Sequence, residues 1–213
     1  MIDILARYIE IFLHPFTVHR NMRLQRLGHY VNGQKNGIDL AEAISISWIW
    51  YMIQGFFVLL TISMTSHLYD SIETESVIAS MIVDSWQRAT MRVTVLTVLV
   101  GVVFFPVYEY IFFRLYTVVI RFYSELFKLD TTQDAIEQTV QFSMVGNTFL
   151  VLPIIGRMLS FFSTCVYLFA GLRNNMGMTN LQSTITMVTP LFALMLFVGL
   201  FFTLMIMAIG VIA

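Results

Sequence analysis

From residue 174 to the last residue, Ala213, the chain contains no Asp, Glu, Lys or Arg. A charge-free run of that length exceeds the roughly 20 apolar residues that a bilayer crossing needs. The same bias holds throughout. Apolar residues make up 58% of the 213-residue chain and charged residues 12%, against about 25% charged in a soluble domain. Mean hydropathy is +0.78. A formal net charge of -1 provides no whole-chain attraction for nucleic acid, and none is expected as a partner. The single cysteine, Cys165, sits in an apolar segment. It excludes an intramolecular disulfide and a cysteine-based metal site, and reads as a packing residue. The N-terminus lacks the order and cleavage site of a secretory signal, so insertion through internal helices is expected.

The fold class that follows is an all-α polytopic transmembrane bundle with about five spans and an amphipathic N-terminal helix. Residues 1–42 form a polar cytoplasmic segment, with Arg7, Arg20, Arg23, Arg26 and Lys35 set against Asp3, Glu10, Asp39 and Glu42. Within it Ile4, Leu5, Tyr8, Ile9 and Phe12 recur at helical spacing, which predicts a helix lying on the membrane surface before Pro15. Residues 31–37 read as a turn.

Residues 43–213 form the transmembrane domain, with predicted spans 43–65, 93–122, 136–152, 154–172 and 185–211. Trp48, Trp50 and Tyr51 suit the interfacial end of the first. The acidic stretch 66–92 is too charged to cross, although Val77, Met81, Ile82 and Trp86 suggest a short interfacial helix. The second span is too long for the hydrocarbon core and must tilt, kink or protrude, with Pro106 as the kink. Pro153 and Gly156 break the next apolar run into two spans or one kinked helix. Residues 128–137 and 174–177 read as polar connections.

Lys and Arg stay on the cytoplasmic side of a membrane. With the N-terminus inside, that side collects the N-terminal basic residues with Arg114, Arg121, Lys128 and Arg173; the outer side holds Arg88, Arg92 and Arg157. The bias predicts N-in, C-out.

Phe149, Pro153 and Gly156, then an apolar helix, Gly171-Leu172-Arg173, a short polar turn and Pro190, follow one another in an order that resembles the Yip-domain family of Ypt-interacting membrane proteins. Phe12-Leu13-His14-Pro15-Phe16 is similar to that family's proline-containing segment before the first span. The resemblance implies about five closely packed spans. Eukaryotic members carry a longer proline-rich leader and engage small GTPases, so a small GTPase is a partner by family analogy alone. The short leader here fits a prokaryotic branch, and with it a bacterial cytoplasmic (inner) membrane.

Glu109, three residues beyond Pro106 in the second span, is the ionisable residue of most interest. An intramembrane carboxylate marks an ion path or a buried partner, and Arg157 on another helix is its candidate partner. A structural role is preferred to proton or ion handling. His14, His19, His29 and His67 form no metal-ligand spacing and read as surface residues near headgroups. No phosphate-binding glycine loop exists. Ser160, Ser163 and Thr164 lack a neighbouring base in sequence and read as helix-packing hydroxyls. Gly101, Gly171, Gly199 and Gly210 permit close helix approach.

The expected function is a noncatalytic membrane scaffold or accessory subunit. Its partners would be the lipid bilayer and other membrane proteins or a second copy, with no cofactor. The alternative is a small transporter or channel subunit using Glu109. Pro15, Pro106, Glu109, Pro153, Gly156, Arg157, Gly171 and Pro190 are the structural or interaction candidates.

Overall fold

Pro15 splits the N-terminal region into two helices, since a residue without a backbone N–H is tolerated at a helix's first turn and not inside it. In the computed structural model these are α1, Ile2–Leu13, and α2, Pro15–Arg26. They are followed by α3, Leu40–Asp70; α4, Val77–Leu126; α5, Gln133–Ser143; a 3₁₀ helix, Met144–Val151; α6, Gly156–Ala170; a π turn, Gly171–Asn175; and α7, Asn180–Ile212. The structure describes residues 2–28, 38–70 and 77–212, with side chains over 4–28, 38–65 and 89–207. Among these residues it is all-helical. The turn at 31–37, with Lys35, and Glu73 and Glu75 lie outside the described residues, as do the side chains of His67, Asp70, Asp84 and Gly210's surroundings.

Among the described residues, three helices are long and apolar enough to cross a membrane: Leu40–Thr65, Ala89–Leu126 and Asn180–Met207. The first two contain the predicted spans 43–65 and 93–122, and the third covers the predicted span 185–211 as far as residue 207. The expected short interfacial helix within 66–92 is not a separate element, because residues 77–92 run into the second span as part of α4.

α3 begins with a reciprocal cap, Asp39 N donating to Glu42 Oε2 at 3.0 Å. It then runs antiparallel to α4. A Cβ on Gly55 would touch Val98, and one on Gly101 would meet the Tyr51 hydroxyl, so the two helices approach at glycine distance. Pro106 lies inside α4 and cannot donate to the carbonyl four residues earlier, that of Val102. Trp48 Nε1 donates to that carbonyl at 2.8 Å. Trp48 is therefore tied to the neighbouring helix and not only positioned by the interface, while Tyr51 stacks on Phe105 with ring centroids 4.4 Å apart.

Residues 136–152 and 154–172 are separate, shorter elements. Thr132 caps α5, its side chain accepting from Ala135 N. The 3₁₀ helix and α6 are the legs of a hairpin whose turn, residues 152–155, contains Pro153 and Ile154 with φ +67°. Ile154 is 94% exposed. The legs touch backbone to backbone: a Cβ on Gly146 would lie 2.5 Å from Thr164 N, and one on Gly156 2.6 Å from Phe149 O. Lipid tails are as apolar as a leucine side chain, so such close approach and polar contacts, more than apolar burial, hold helices together in a bilayer.

Around this hairpin the other elements assemble. α1 buries Tyr8 and Ile11 in the core, with Phe12 against Phe149 and Tyr167 Oη donating to Phe12 O at 2.7 Å. Leu5, Ile9 and Leu13 remain exposed. The helix expected on the membrane surface is thus packed along one face against the bundle. α2 meets the π turn, where Arg26 donates to Asn175 O at 2.6 Å and also to Asn175 Oδ1. α7 joins through Tyr123 and Thr189, whose hydroxyls lie 2.8 Å apart. It contains Pro190, beyond which every residue from 192 to 207 is exposed.

Candidate functional site

The inward face of α4 recurs at intervals of three, four or seven residues through Val98, Phe105, Glu109, Phe113, Tyr116 and Ile120. That register turns Glu109 into the bundle, where it is 4% exposed. Asn147 on the 3₁₀ helix donates Nδ2 to Glu109 Oε1 at 3.0 Å, and Ser160 on α6 donates Oγ to Asn147 Oδ1 at 2.8 Å. Three elements are thereby joined by one directional chain of hydrogen bonds, hydroxyl to amide to carboxylate. In a medium without water, each of these groups left alone would cost several kcal/mol.

The chain borders a cavity of about 470 Å³ that Arg157, Tyr51, Gly101 and Thr164 also line. Asn147, and not the expected Arg157, holds the Glu109 carboxylate; Arg157 only shares the cavity. Its Nε donates to Gln54 Oε1 at 3.4 Å, which ties the start of α6 to α3. Of the residues singled out in sequence, Pro106 lies one turn before Glu109 in α4, and Pro153 and Gly156 shape the hairpin end from which Arg157 projects. Pro15, Gly171 and Pro190 lie elsewhere. Pro15 starts α2 and Pro190 lies within α7. A Cβ on Gly171 would come 2.5 Å from Thr139 Cγ2 and 3.1 Å from His19 Cε1, so its close approach serves the chain's own core.

Asn147 was missed in the sequence. The available signal was a lone amide within the apolar run 144–152, a residue type that acts as interhelical glue in membranes. His19 corrects the reading of surface histidines: it is fully buried beside Phe142, ring centroids 5.3 Å apart, and neither ring nitrogen has a hydrogen-bond partner. Burial, reinforced by the charge of Arg26, pushes its imidazole down to about 3. Ser160 uses its hydroxyl in packing as expected. Cys165 is free and half-buried. Among the described residues, no group of three His, Cys, Asp or Glu side chains could hold a metal.

The arrangement can orient a hydrogen-bonding guest, and it puts one carboxylate and one guanidinium on the walls of the same cavity. No histidine or lysine is among the residues that line the cavity with Ser160 and Thr164. Comparison with protein-family models, with curated proteins and with solved structures gives no match.

Proposed function

We propose that this protein is a noncatalytic integral membrane scaffold or accessory subunit that works through helix packing with partner proteins. One observation carries this reading: α7 contributes only its first part to the bundle and exposes every residue from 192 to 207. A spanning helix of that kind is available along most of its length to a second helix, from another membrane protein or another copy of the chain. Copurification in mild detergent is expected to recover such a partner. Gly199→Leu, at a position with nothing within 4 Å in the chain's own fold, should release it. Recovery of a fully active chain that is always alone would end this reading.

The topology we propose has the N-terminus in the cytoplasm and the C-terminus outside, in a bacterial cytoplasmic membrane, as the distribution of Lys and Arg suggests. Five helical segments enter the bilayer. The two short ones, 136–152 and 154–172, give five spans if both cross, yet their register favours a shallower hairpin. Gln54, which meets Arg157, lies about 21 Å along α3 from Leu40 and about 16 Å short of Thr65 at 1.5 Å per residue. Either course leaves α7 with the same orientation. Outside labelling of a cysteine at position 35 in intact cells would overturn the orientation; outside labelling at position 154 would establish five full crossings.

The likeness to Yip-domain proteins enters as a proposal of kinship, and small GTPases are the partners it adds to the copurification screen. A second reading, a transporter or channel subunit, is favoured by the burial of Glu109 on the wall of a cavity in the bundle. Proton or cation flux in proteoliposomes that disappears with Glu109→Gln would rank it first.

A further inference from the structure

The cavity beside Glu109 opens sideways. Phe104, Tyr108 and Phe161 line it and are all exposed, so its mouth lies between α4 and α6 on the outer surface of the bundle. Tyr108 sits at the middle of the apolar stretch Ala89–Leu126, and Tyr51, on the opposite wall, near the middle of Leu40–Thr65. A molecule entering here would come from the hydrocarbon interior and not from water.

The chemistry of the walls narrows what that molecule is. Most of the lining is aromatic or aliphatic, and the polar side chains on it are the hydrogen-bonded Glu109, Asn147 and Ser160 together with Thr164 and Arg157. Asn147 Oδ1 accepts from Ser160, and one N–H of Asn147 is taken by Glu109 Oε1. An amide carries two N–H groups and a carboxylate two oxygens. The groups left for a guest are therefore a donor, the second amide N–H, next to an acceptor, the second carboxylate oxygen. A hydroxyl matches both because it donates and accepts at one atom. A carboxylate or phosphate head seated at that pair would set a second anion beside Glu109, and Arg157, the cation on the cavity wall, donates instead to Gln54. The volume of about 470 Å³ corresponds to about 16 water-sized groups at roughly 30 Å³ each, enough for one chain and well short of a two-chain phospholipid.

We propose that this cavity is a lateral binding site for a single-chain lipid alcohol, its hydroxyl seated between Asn147 and Glu109 and its chain leaving past Phe104, Tyr108 and Phe161. This goes beyond the scaffold reading, which rests on α7. Linear and isoprenoid alcohols share the recognised chemistry, and competition separates them.

The test uses the purified full-length protein and a hexadecanol carrying a diazirine along its chain, with adducts mapped by mass spectrometry. Labelling should be saturable, concentrate on the α4 and α6 rim, and fall with excess hexadecanol or farnesol, the stronger competitor identifying the chain type. Hexadecane, which lacks the head, should compete poorly. Asn147→Leu should reduce rim labelling about fivefold, the worth of one net hydrogen bond, and Ser160→Phe, which fills the cavity, should do at least as much. Adducts on residues 192–207 should stay constant in both variants and serve as the control for labelling yield, with a cooperative thermal melt as the control for folding. Should either variant fail to fold, competition on the unmodified protein still decides. Unsaturable labelling, equal competition by hexadecane, or unchanged rim adducts in a folded Ser160→Phe protein would overturn the proposal. Copurification of a partner, measured in parallel, reports on α7 independently.

Discussion

The 3₁₀–α6 hairpin and the outer part of α7 are both long apolar stretches, yet they are built on opposite terms. In the hairpin, apolar residues alternate with Gly146, Asn147, Gly156 and Ser160, and each of these small or polar residues meets a defined neighbour. Beyond Pro190 the side chains are nearly all large and apolar, and none of residues 192–207 is buried. Apolar composition decides which segments enter the membrane. Small and polar residues decide which of them pack, because only these provide backbone approach and hydrogen bonds that lipid cannot supply.

The sharpest way to break this contrast is to give both regions the same insult. Gly146→Leu drives a side chain into the backbone of Thr164, which cannot turn aside, and should destabilise the protein by about 3 kcal/mol or more, or prevent folding. Gly199→Leu should leave the melting temperature of the isolated chain unchanged. Thermal melts in detergent measure both, and equal effects would erase the distinction.

Asn147→Leu probes the polar chain directly. It leaves the buried Glu109 carboxylate without its amide donor, at a cost of about 1–3 kcal/mol, and the double variant with Glu109→Leu should recover part of that loss. Denaturation of the single and double variants tests the coupling; strict additivity would mean that the two side chains do not act together.

His19 extends the contrast to pH. Its folded-state value of about 3 lies below the ordinary 6.5, so the neutral imidazole's contribution is fully present above about pH 6.5. It is lost as pH falls toward about 3, because the unfolded chain takes up a proton that the fold refuses. Melts at about pH 7 and about pH 4.5 should show a larger acid loss for the native sequence than for His19→Gln. The smallest effect expected is that of Trp48→Phe, which removes the donor to Val102 O and should cost about 1 kcal/mol by the same melts.

These regions also mark what the sequence could disclose. The three long helices were legible from the scarcity of charge, the hairpin break from Pro153, and the burial of Glu109 from its isolation among apolar neighbours. Asn147 as its partner was not legible, since 38 positions separate them and only the packing of α4 on the 3₁₀ helix joins them. His19 resembled an exposed residue because Arg20 adjoins it in sequence, whereas the helix turns Arg20 outward and His19 into the core. The docking of α1 and the departure of α7 likewise depend on which faces find partners, a matter of tertiary geometry that local periodicity does not encode.

The segment 133–175 ends where it begins: Asn175 Nδ2, in the π turn, donates to Ala135 O, near the start of α5, at 3.1 Å. A segment that returns to its own point of entry does not change the parity of crossings. During synthesis, α7 can therefore be inserted with its final orientation whether or not residues 133–175 have yet docked. Folding of the cavity is then separable in time from the laying down of the membrane topology.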